Sequence, residues 1–430
     1  MFQPARGTRD FLPEEMTRRN WVLDRFREAF EAYGYEPLGT PAFESWELLK
    51  VKSGDDIIEQ IYYFRDKSDR ELGLRFEWTA SLCRVVSAHR ELTMPFKRYA
   101  MGPVWRYERP SESRFREFWQ ADADVVGVAD PIADAEVLAV AVDCLRRVGF
   151  EGFLIRLNDR RLLEAVVEIA GLPKERSLDV FRAVDKLGKI GPEGVKEELA
   201  GVGATPEEAE EILELTSLRG RPEAALAEAR ETLGGLPAGR SGCDALSAIA
   251  GYAGAFGIEA YLEVDLSLAR GLDYYTGPVY EIYAEGFEEH GSIAGGGRYD
   301  ELIELFGGEP TPATGISLGV ERIVPLLEKK GAFENLRLGP GVYVAAASDA
   351  VRGRAIEVAQ TLRRSGVAAD IDLMCRSLAR QLDHANRKGF RWAVIVGERE
   401  LREGRVAVRN METAEQRTVR LEELAEHLRM

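Results

Sequence analysis

The sequence predicts an α+β protein of two or three domains that ends in a separate α/β unit, and three observations carry that expectation. Its 430 residues exceed what one ordinary hydrophobic core organises. After an N-terminal helix, strand-like segments with two-residue alternation flank a long helical stretch. Beyond residue 340, strands and helices alternate one by one, the pattern of a compact, largely parallel sheet.

The elements follow in chain order. Glu14 to Ala32 places Trp21, Val22, Phe26, Ala29 and Phe30 at helical spacing and stops near Gly34, which predicts an amphipathic helix. An apolar helix is expected over Val137–Val148, before a Gly-Phe-Glu-Gly turn. From about Asp159 to Leu236 the chain becomes charged and rich in Ala, Leu and Glu, with turns at Gly171-Leu172-Pro173 and Gly191-Pro192. This stretch predicts an inserted helical subdomain with no chemistry of its own. Strand character returns from Ala260 to Ala284, and a helix surrounds Val320 to Lys329. The first unit thus spans 1–330, and residues 331–340 read as a Gly/Pro-containing linker. The last unit, 341–430, reads as strand Val342–Ala346, helix Ala350–Ser365, strand Val367–Ile371, helix Ser377–Lys388 and strand Trp392–Val396.

Composition excludes several classes. Hydrophobic residues make up 45% and charged residues 30%, with no apolar run long enough for a transmembrane helix and no signal-peptide pattern at the start. Cys83, Cys144, Cys243 and Cys375 are scattered without a C-x-x-C, which predicts thiols in a reducing cytosol and no structural zinc. The four histidines are equally dispersed, so neither a metal site nor a His-based triad is expected. Net charge is −16, yet residues 341–430 carry 16 Lys/Arg against 13 Asp/Glu, leaving −19 to the first 340. A mildly basic C-terminal unit on an acidic body is compatible with local phosphate contacts.

The most informative segment runs from Pro103 to Val128. Pro110-Ser111-Glu112-Ser113 is a turn cluster between two antiparallel strands. Alternation puts Arg106, Glu108, Arg114, Arg116, Phe118, Gln120, Asp122 and Asp124 on one face, and Trp105, Tyr107, Phe115, Trp119, Ala121, Ala123 and Val125 on the other. The first set is rich in Arg, Gln and Asp around one aromatic, groups suited to phosphate, amine and base, and it predicts a ligand-binding face. In Leu262–Tyr283, Arg270 and Asp273 interrupt an apolar run beside Tyr274 and Tyr275. A buried Arg270 needs an anionic partner, for which Asp273 and Asp265 are the candidates. Gly295-Gly296-Gly297 reads as a loop permitting close backbone approach to a ligand.

At these residues the sequence resembles histidyl-tRNA synthetase, a class II aminoacyl-tRNA synthetase family, over essentially its whole length. ARGTRDFLPEE is similar to the family's opening, and YGYEPLGTPAFE, with Pro41, to class II motif 1 of the dimer interface. WRYERPSESRFREFWQADAD resembles motif 2 and GISLGVERI motif 3, while ARGLDYYTG and AGGGRYDEL resemble the two peptides that distinguish histidyl enzymes. The resemblance implies a six-stranded antiparallel sheet with flanking helices and a C-terminal anticodon-binding domain. It also implies a homodimer in the cytoplasm that acts on L-histidine, ATP and tRNA(His), with Mg2+ as the counter-ion of ATP. Residue by residue, it implies Glu77, Thr79 and Gln120 for the substrate amino group, and Asp124, Tyr274 and Tyr275 for the imidazole. Arg270 and Arg106 fall at the reacting carboxylate and α-phosphate as the catalytic cations. Glu108, Arg114, Phe118 and Arg322 join Arg106 in binding ATP, with Phe118 and Arg322 on either side of adenine.

Two departures from the family pattern stand out. Phe76 and Trp78 flank Glu77 where Pro and a smaller residue are usual, which predicts an altered amino-group pocket. Ser111-Glu112-Ser113 replaces the common Gln-x-Gly, which predicts altered contacts to the tRNA acceptor end. The main alternative is the synthetase-like regulatory subunit of ATP phosphoribosyltransferase, which typically lacks the C-terminal domain and parts of the signature peptides. A class II enzyme for proline, threonine or glycine is the other, and RGLDYYTG argues against it.

Overall fold

A computed structural model of the chain describes residues 2–51, 55–110, 114–270, 274–334 and 341–429. It divides into two compact units, Met1–Ala332 and Phe333–Met430.

The first unit is organised by one sheet. Six strands form its antiparallel centre: β1 (Phe96–Trp105), β2 (Glu117–Val126), β3 (Phe153–Asp159), β4 (Pro278–Ala284), β5 (Ala294–Arg298) and β6 (Ala313–Gly319). Their spatial order is β1-β2-β6-β5-β4-β3, every pair antiparallel. The sheet is wider than six strands. Glu36–Pro37 adds in parallel to β1, Leu262–Asp265 adds in parallel to β3, and Arg219–Gly220 closes that edge. Among the described residues, strand character between Ala260 and Ala284 is therefore confined to 262–265 and 278–284.

Alternation gives this sheet two unlike faces. On the back, Ala121, Ala123 and Val125 of β2 and Ile316 and Leu318 of β6 are buried, and they meet the helix Ile132–Arg147. That helix is apolar almost all round because Pro13–Ala32 and Pro237–Ala255 cover it in turn. Pro13–Ala32 starts with Pro at its first position and two glutamates in its first turn, and it buries Val22, Leu23, Phe26, Ala29 and Phe30 along one stripe. The predicted helical stretch consists of Arg160–Ile169, Ser177–Asp185, Leu187–Gly201, Pro206–Thr216 and Pro222–Leu233. It continues beyond Leu236 into Pro237–Ala255, and Arg219–Gly220 ties it into the main sheet. Leu187–Gly201 is kinked at Gly191, where φ is 71° and Pro192 follows.

A buried polar network fastens the back layer. Arg298 Nε donates to Asp134 Oδ2 at 3.0 Å, Thr314 donates to Asp134 Oδ1 at 2.7 Å, and the Tyr280 hydroxyl lies 2.6 Å from that of Thr314. Asp134 is fully enclosed. Arg298→Met should therefore leave an uncompensated buried carboxylate and cost roughly 3–5 kcal/mol in denaturant unfolding. A loss below about 1 kcal/mol would show that the pair contributes little.

The second unit carries a five-stranded sheet in which Ala369–Ile371, Val342–Ala346 and Trp392–Val396 run parallel. An antiparallel pair, Arg405–Asn410 and Gln416–Arg420, extends it beyond the predicted alternation. Helices Arg352–Arg364 and Leu378–Arg387 connect the parallel strands, as β-α-β-α-β order requires. Among the described residues no helix is long and apolar enough to cross a membrane.

Candidate active site

The open face of the sheet presents a row of functional side chains on a floor of small ones. On β2, Phe118, Gln120, Asp122 and Asp124 point the same way. Their partners on β1 are Val104, Gly102, Ala100 and Arg98, and on β6 the partners of Gln120, Asp122 and Asp124 are Gly319, Ser317 and Gly315. Gly315, Ser317 and Gly319 on β6 leave the β2 side chains open space on that side, which makes a cavity here, while Arg98 and the Trp78 ring packed on Ala100 and Val104 fill the β1 side. Gly315 is required sterically, since a Cβ would overlap the Asp124 carboxylate.

The AGGGR segment is strand β5, not a loop, and what approaches its backbone is protein. A Cβ on Gly295 would overlap the Arg270 guanidinium, and one on Gly297 would sit 2.7 Å from the Tyr275 ring. Arg270 thus lies flat across the strand, with its own backbone at φ 55°. Its anionic partner is Glu281 on β4, at 2.8 Å, rather than Asp265, which accepts from Ser267; Asp273 lies outside the described residues. Burial works against the Arg270 cation, but Tyr275 and Glu281 outweigh it and raise its pKa. Burial likewise opposes the Glu281 charge, yet Arg270 and Tyr283 draw its pKa below the usual carboxylate range.

Glu77 closes the far end of the face. It accepts from the backbone N–H groups of Thr79 (2.5 Å) and Ala80 (2.7 Å) at the start of helix Thr79–Ala88. Burial nevertheless raises its pKa. Phe76 and Trp78, the two departures, point away from it. Phe76 packs with Leu49 and Ile61, Trp78 packs with Ala100 and Val104, and the Arg75 guanidinium stacks on Trp78 at 3.6 Å. Neither lines the pocket, so the pocket's lining keeps Glu77 and Thr79. Arg106 donates from Nε to the Phe76 carbonyl at 3.1 Å and lies over the Phe118 ring at 5.2 Å. Its pKa is lowered by burial, with the nearby Arg270 adding repulsion.

Two connected spaces result. An open cleft of about 300 Å³ includes Arg106, Glu108, Arg114, Phe118 and Arg322 in its wall. A deeper pocket of about 50 Å³ is lined by Glu77, Thr79, Asp122, Asp124, Tyr274 and Tyr275. Arg106, Gln120 and Arg270 belong to both, so they stand at the junction. Arg322 donates to the Ser292 carbonyl at 2.6 Å, and its pKa is lowered by burial and then by Arg114. Four guanidinium groups facing one cleft repel each other and suit a polyanion.

The structure therefore gathers every site residue expected from the sequence. The odd-numbered face of the motif 2 segment behaves less uniformly. Phe115 lines the cleft, Trp105 hydrogen-bonds Glu117 at 2.8 Å, and Tyr107 is 53% exposed beneath the Arg116 guanidinium. Arg116 turns away from the cleft to donate to the Glu108 carbonyl at 3.1 Å. Residues 111–113 lie outside the described residues. Sequence reasoning missed Arg98, Glu281 and Tyr299. Arg98 is wholly buried and pairs with Asp124 at 2.8 Å, and the Tyr299 hydroxyl donates to the same carboxylate. A lone Glu in the apolar run VYEIY was the available signal for Glu281.

Known proteins resemble the chain along both of its units. Residues 7–323 match the family model for histidyl-tRNA synthetase, and residues 341–430 match that for an anticodon binding domain. The histidine–tRNA ligase of Pyrococcus furiosus is 38% identical over 430 residues, covering 100% of this chain and 99% of its own. The crystal structure of histidyl-tRNA synthetase from a Nostoc species superposes with a TM-score of 0.87 at 31% identity, over 100% of this chain and 99% of that one. A Bacillus halodurans structure described as an ATP phosphoribosyltransferase regulatory subunit/histidyl-tRNA synthetase gives 0.74 at 26% identity, over 86% of this chain and 93% of that one. With two signature peptides lining one cleft and relatives aligned from end to end, the chain belongs to the histidyl-tRNA synthetase family.

Proposed function

We propose that the protein is a histidine–tRNA ligase that forms histidyl-adenylate from histidine and ATP and transfers the histidyl group to tRNA(His). The observation that carries this is the junction of a cationic cleft with a small, buried, polar pocket at Arg106 and Arg270. Histidine occupies the deep pocket, its amino group against Glu77, Thr79 and Gln120 and its ring among Tyr274, Tyr275 and Asp124. ATP occupies the cleft, with adenine between Phe118 and Arg322 and phosphates on Arg106, Arg114 and Arg322. Glu108, 3.3 Å from Arg114, orients that arginine. Mg2+ enters as the counter-ion of ATP, and no residue is assigned to it.

The carboxylate attacks the α-phosphorus and pyrophosphate leaves, so negative charge grows on the non-bridging oxygens. Arg106 and Arg270 face that point from opposite elements and stabilise the transition state more than the ground state. No protein nucleophile is needed, because the reaction depends on positioning and electrostatics. ATP–pyrophosphate exchange with each amino acid in turn tests the reading. Exchange is expected with histidine alone. A response to another amino acid, or to none, would overturn it, and the second result would favour the regulatory subunit. Full-length relatives named histidine–tRNA ligase weigh against that alternative.

Gly295→Ala provides a sharper test of how Arg270 is held. The added methyl overlaps the guanidinium and displaces it. Exchange should fall by roughly a hundredfold, the effect of misplacing a reacting group by about 1 Å. Wild-type exchange in this variant would mean that Arg270 need not lie on β5.

A homodimer through the motif 1 region belongs to the same reading. Phe43, 52% exposed, meets Phe64, 37% exposed, edge-to-face at 6.2 Å, leaving an aromatic surface uncovered within one chain. Sedimentation at micromolar concentration should give twice the chain mass, and a monomer would remove this part of the proposal.

A further inference from the structure

The Arg270 guanidinium is aimed through Glu281, and Glu281 is held in its turn. Arg270 Nη1 donates to Glu281 Oε1 at 2.8 Å. A carboxylate turns easily about its last torsion, so this contact alone leaves the direction of the guanidinium loose. The other oxygen, Oε2, accepts from the Tyr283 hydroxyl at 2.5 Å. Tyr283 stands two residues further along β4, and a strand puts both side chains on one face. The Ser292 hydroxyl lends Glu281 a further donor. Burial raises the Tyr283 pKa and the Glu281 charge raises it again, so at neutral pH the hydroxyl keeps the proton it donates.

The Tyr283 ring is pinned as well. The Arg156 guanidinium, from the adjacent strand β3, lies over it at 4.5 Å. Arg156 Nε is 3.5 Å from Asp265 and 3.8 Å from Glu263, and Arg219 of the helical insertion pairs with that same Glu263. A row of alternating charge thus runs from the insertion through Arg156 and Tyr283 to Arg270. Tyr283, Arg156 and Arg219 line neither the cleft nor the deep pocket, so their effect on a substrate passes through Glu281 and Arg270.

We propose that Tyr283 is a positioning residue for adenylation, fixing Glu281 so that Arg270 meets the reacting carboxylate and α-phosphate, with Arg156 as its support. The inference rests on reading Arg270 as a catalytic cation.

The test is a double-mutant cycle in the full chain, read by histidine-dependent pyrophosphate exchange per titrated active site. Tyr283→Phe keeps the ring under Arg156 and removes the hydroxyl alone. It should lower kcat by about tenfold, the worth of one hydrogen bond to a charged group, with KM for histidine and for ATP within about twofold of wild type. In a Glu281→Ala background the same change should cost no more than about twofold, because the hydroxyl has lost its target. A kcat for Tyr283→Phe within about threefold of wild type overturns the proposal. So does an equal loss in both backgrounds, the mark of a hydroxyl with a purely structural role. Should Glu281→Ala not fold, Arg270→Ala takes its place in the cycle with the same expectation, since Tyr283 acts through that guanidinium. Near-wild-type exchange in Arg270→Ala alone would instead sink the reading of Arg270, so the two failures are separable.

Discussion

Replacing Arg270 by alanine is expected to abolish histidine-dependent pyrophosphate exchange in a chain that still folds. The guanidinium is positioned twice, by Glu281 at 2.8 Å and by the side-chain-free surface of Gly295. Positioning in advance is what lets a fixed charge favour the transition state without reorganisation. Losing it should cost about 3 kcal/mol or more, on the order of a hundredfold in rate. Breaking the pair also leaves Glu281 unmatched beside the reacting phosphate, which adds repulsion. The double variant Arg270→Ala/Glu281→Gln separates the two effects, since it removes the repulsion without restoring the cation. Exchange surviving within a few-fold in the single variant would reduce Arg270 to a structural ion-pair member.

Ending the chain at Ala332 is expected to spare histidine activation and to cripple tRNA charging. All residues of the cleft and pocket belong to the first unit, so adenylate formation should not require the second. The second unit matches an anticodon binding domain and carries a surplus of basic residues in an otherwise acidic chain. Arg380, Arg387 and Lys388 are exposed on helix Leu378–Arg387 or at its exit, whereas Arg376 precedes the helix and is held by Asp372. Two attachment points on one tRNA act as linked sites, and losing one should weaken charging by on the order of a hundredfold. Charging by the whole chain should also fall as salt rises, because phosphate contacts release counterions. Equal charging with and without the unit, measured as acylated tRNA per enzyme, would refute its role.

What could be read from the sequence was what local periodicity encodes. The alternation in FWQADADVV placed Phe118, Gln120, Asp122 and Asp124 on one face because a strand has no other choice. Pro13–Ala32 and the β-α-β-α-β alternation of the second unit were legible for the same reason. The partners of buried charges were not. Arg98 pairs with Asp124 across a strand register, and Arg270 with Glu281 from a different element, so nothing nearby in sequence announces either. The triple glycine was misread as a loop because composition does not reveal that Arg270 and Tyr275 lie over it. The site residues themselves came from family resemblance, and the geometry adds why those positions converge.

The floor of small residues beneath the β2 row also makes evolution of the pocket one-sided. Gly295, Gly315 and Gly319 already present bare backbone, and backbone cannot be trimmed. Any mutation at these positions adds atoms, so inherited variation there can shrink the cavity but never deepen it. A descendant accepting a bulkier amino acid would gain nothing from the floor and would have to trim the wall, Tyr274 and Tyr275 among it. A descendant accepting a smaller one needs a single methyl in the right place. The floor can thus only narrow the pocket, and room for a larger side chain has to come from the side chains of its wall.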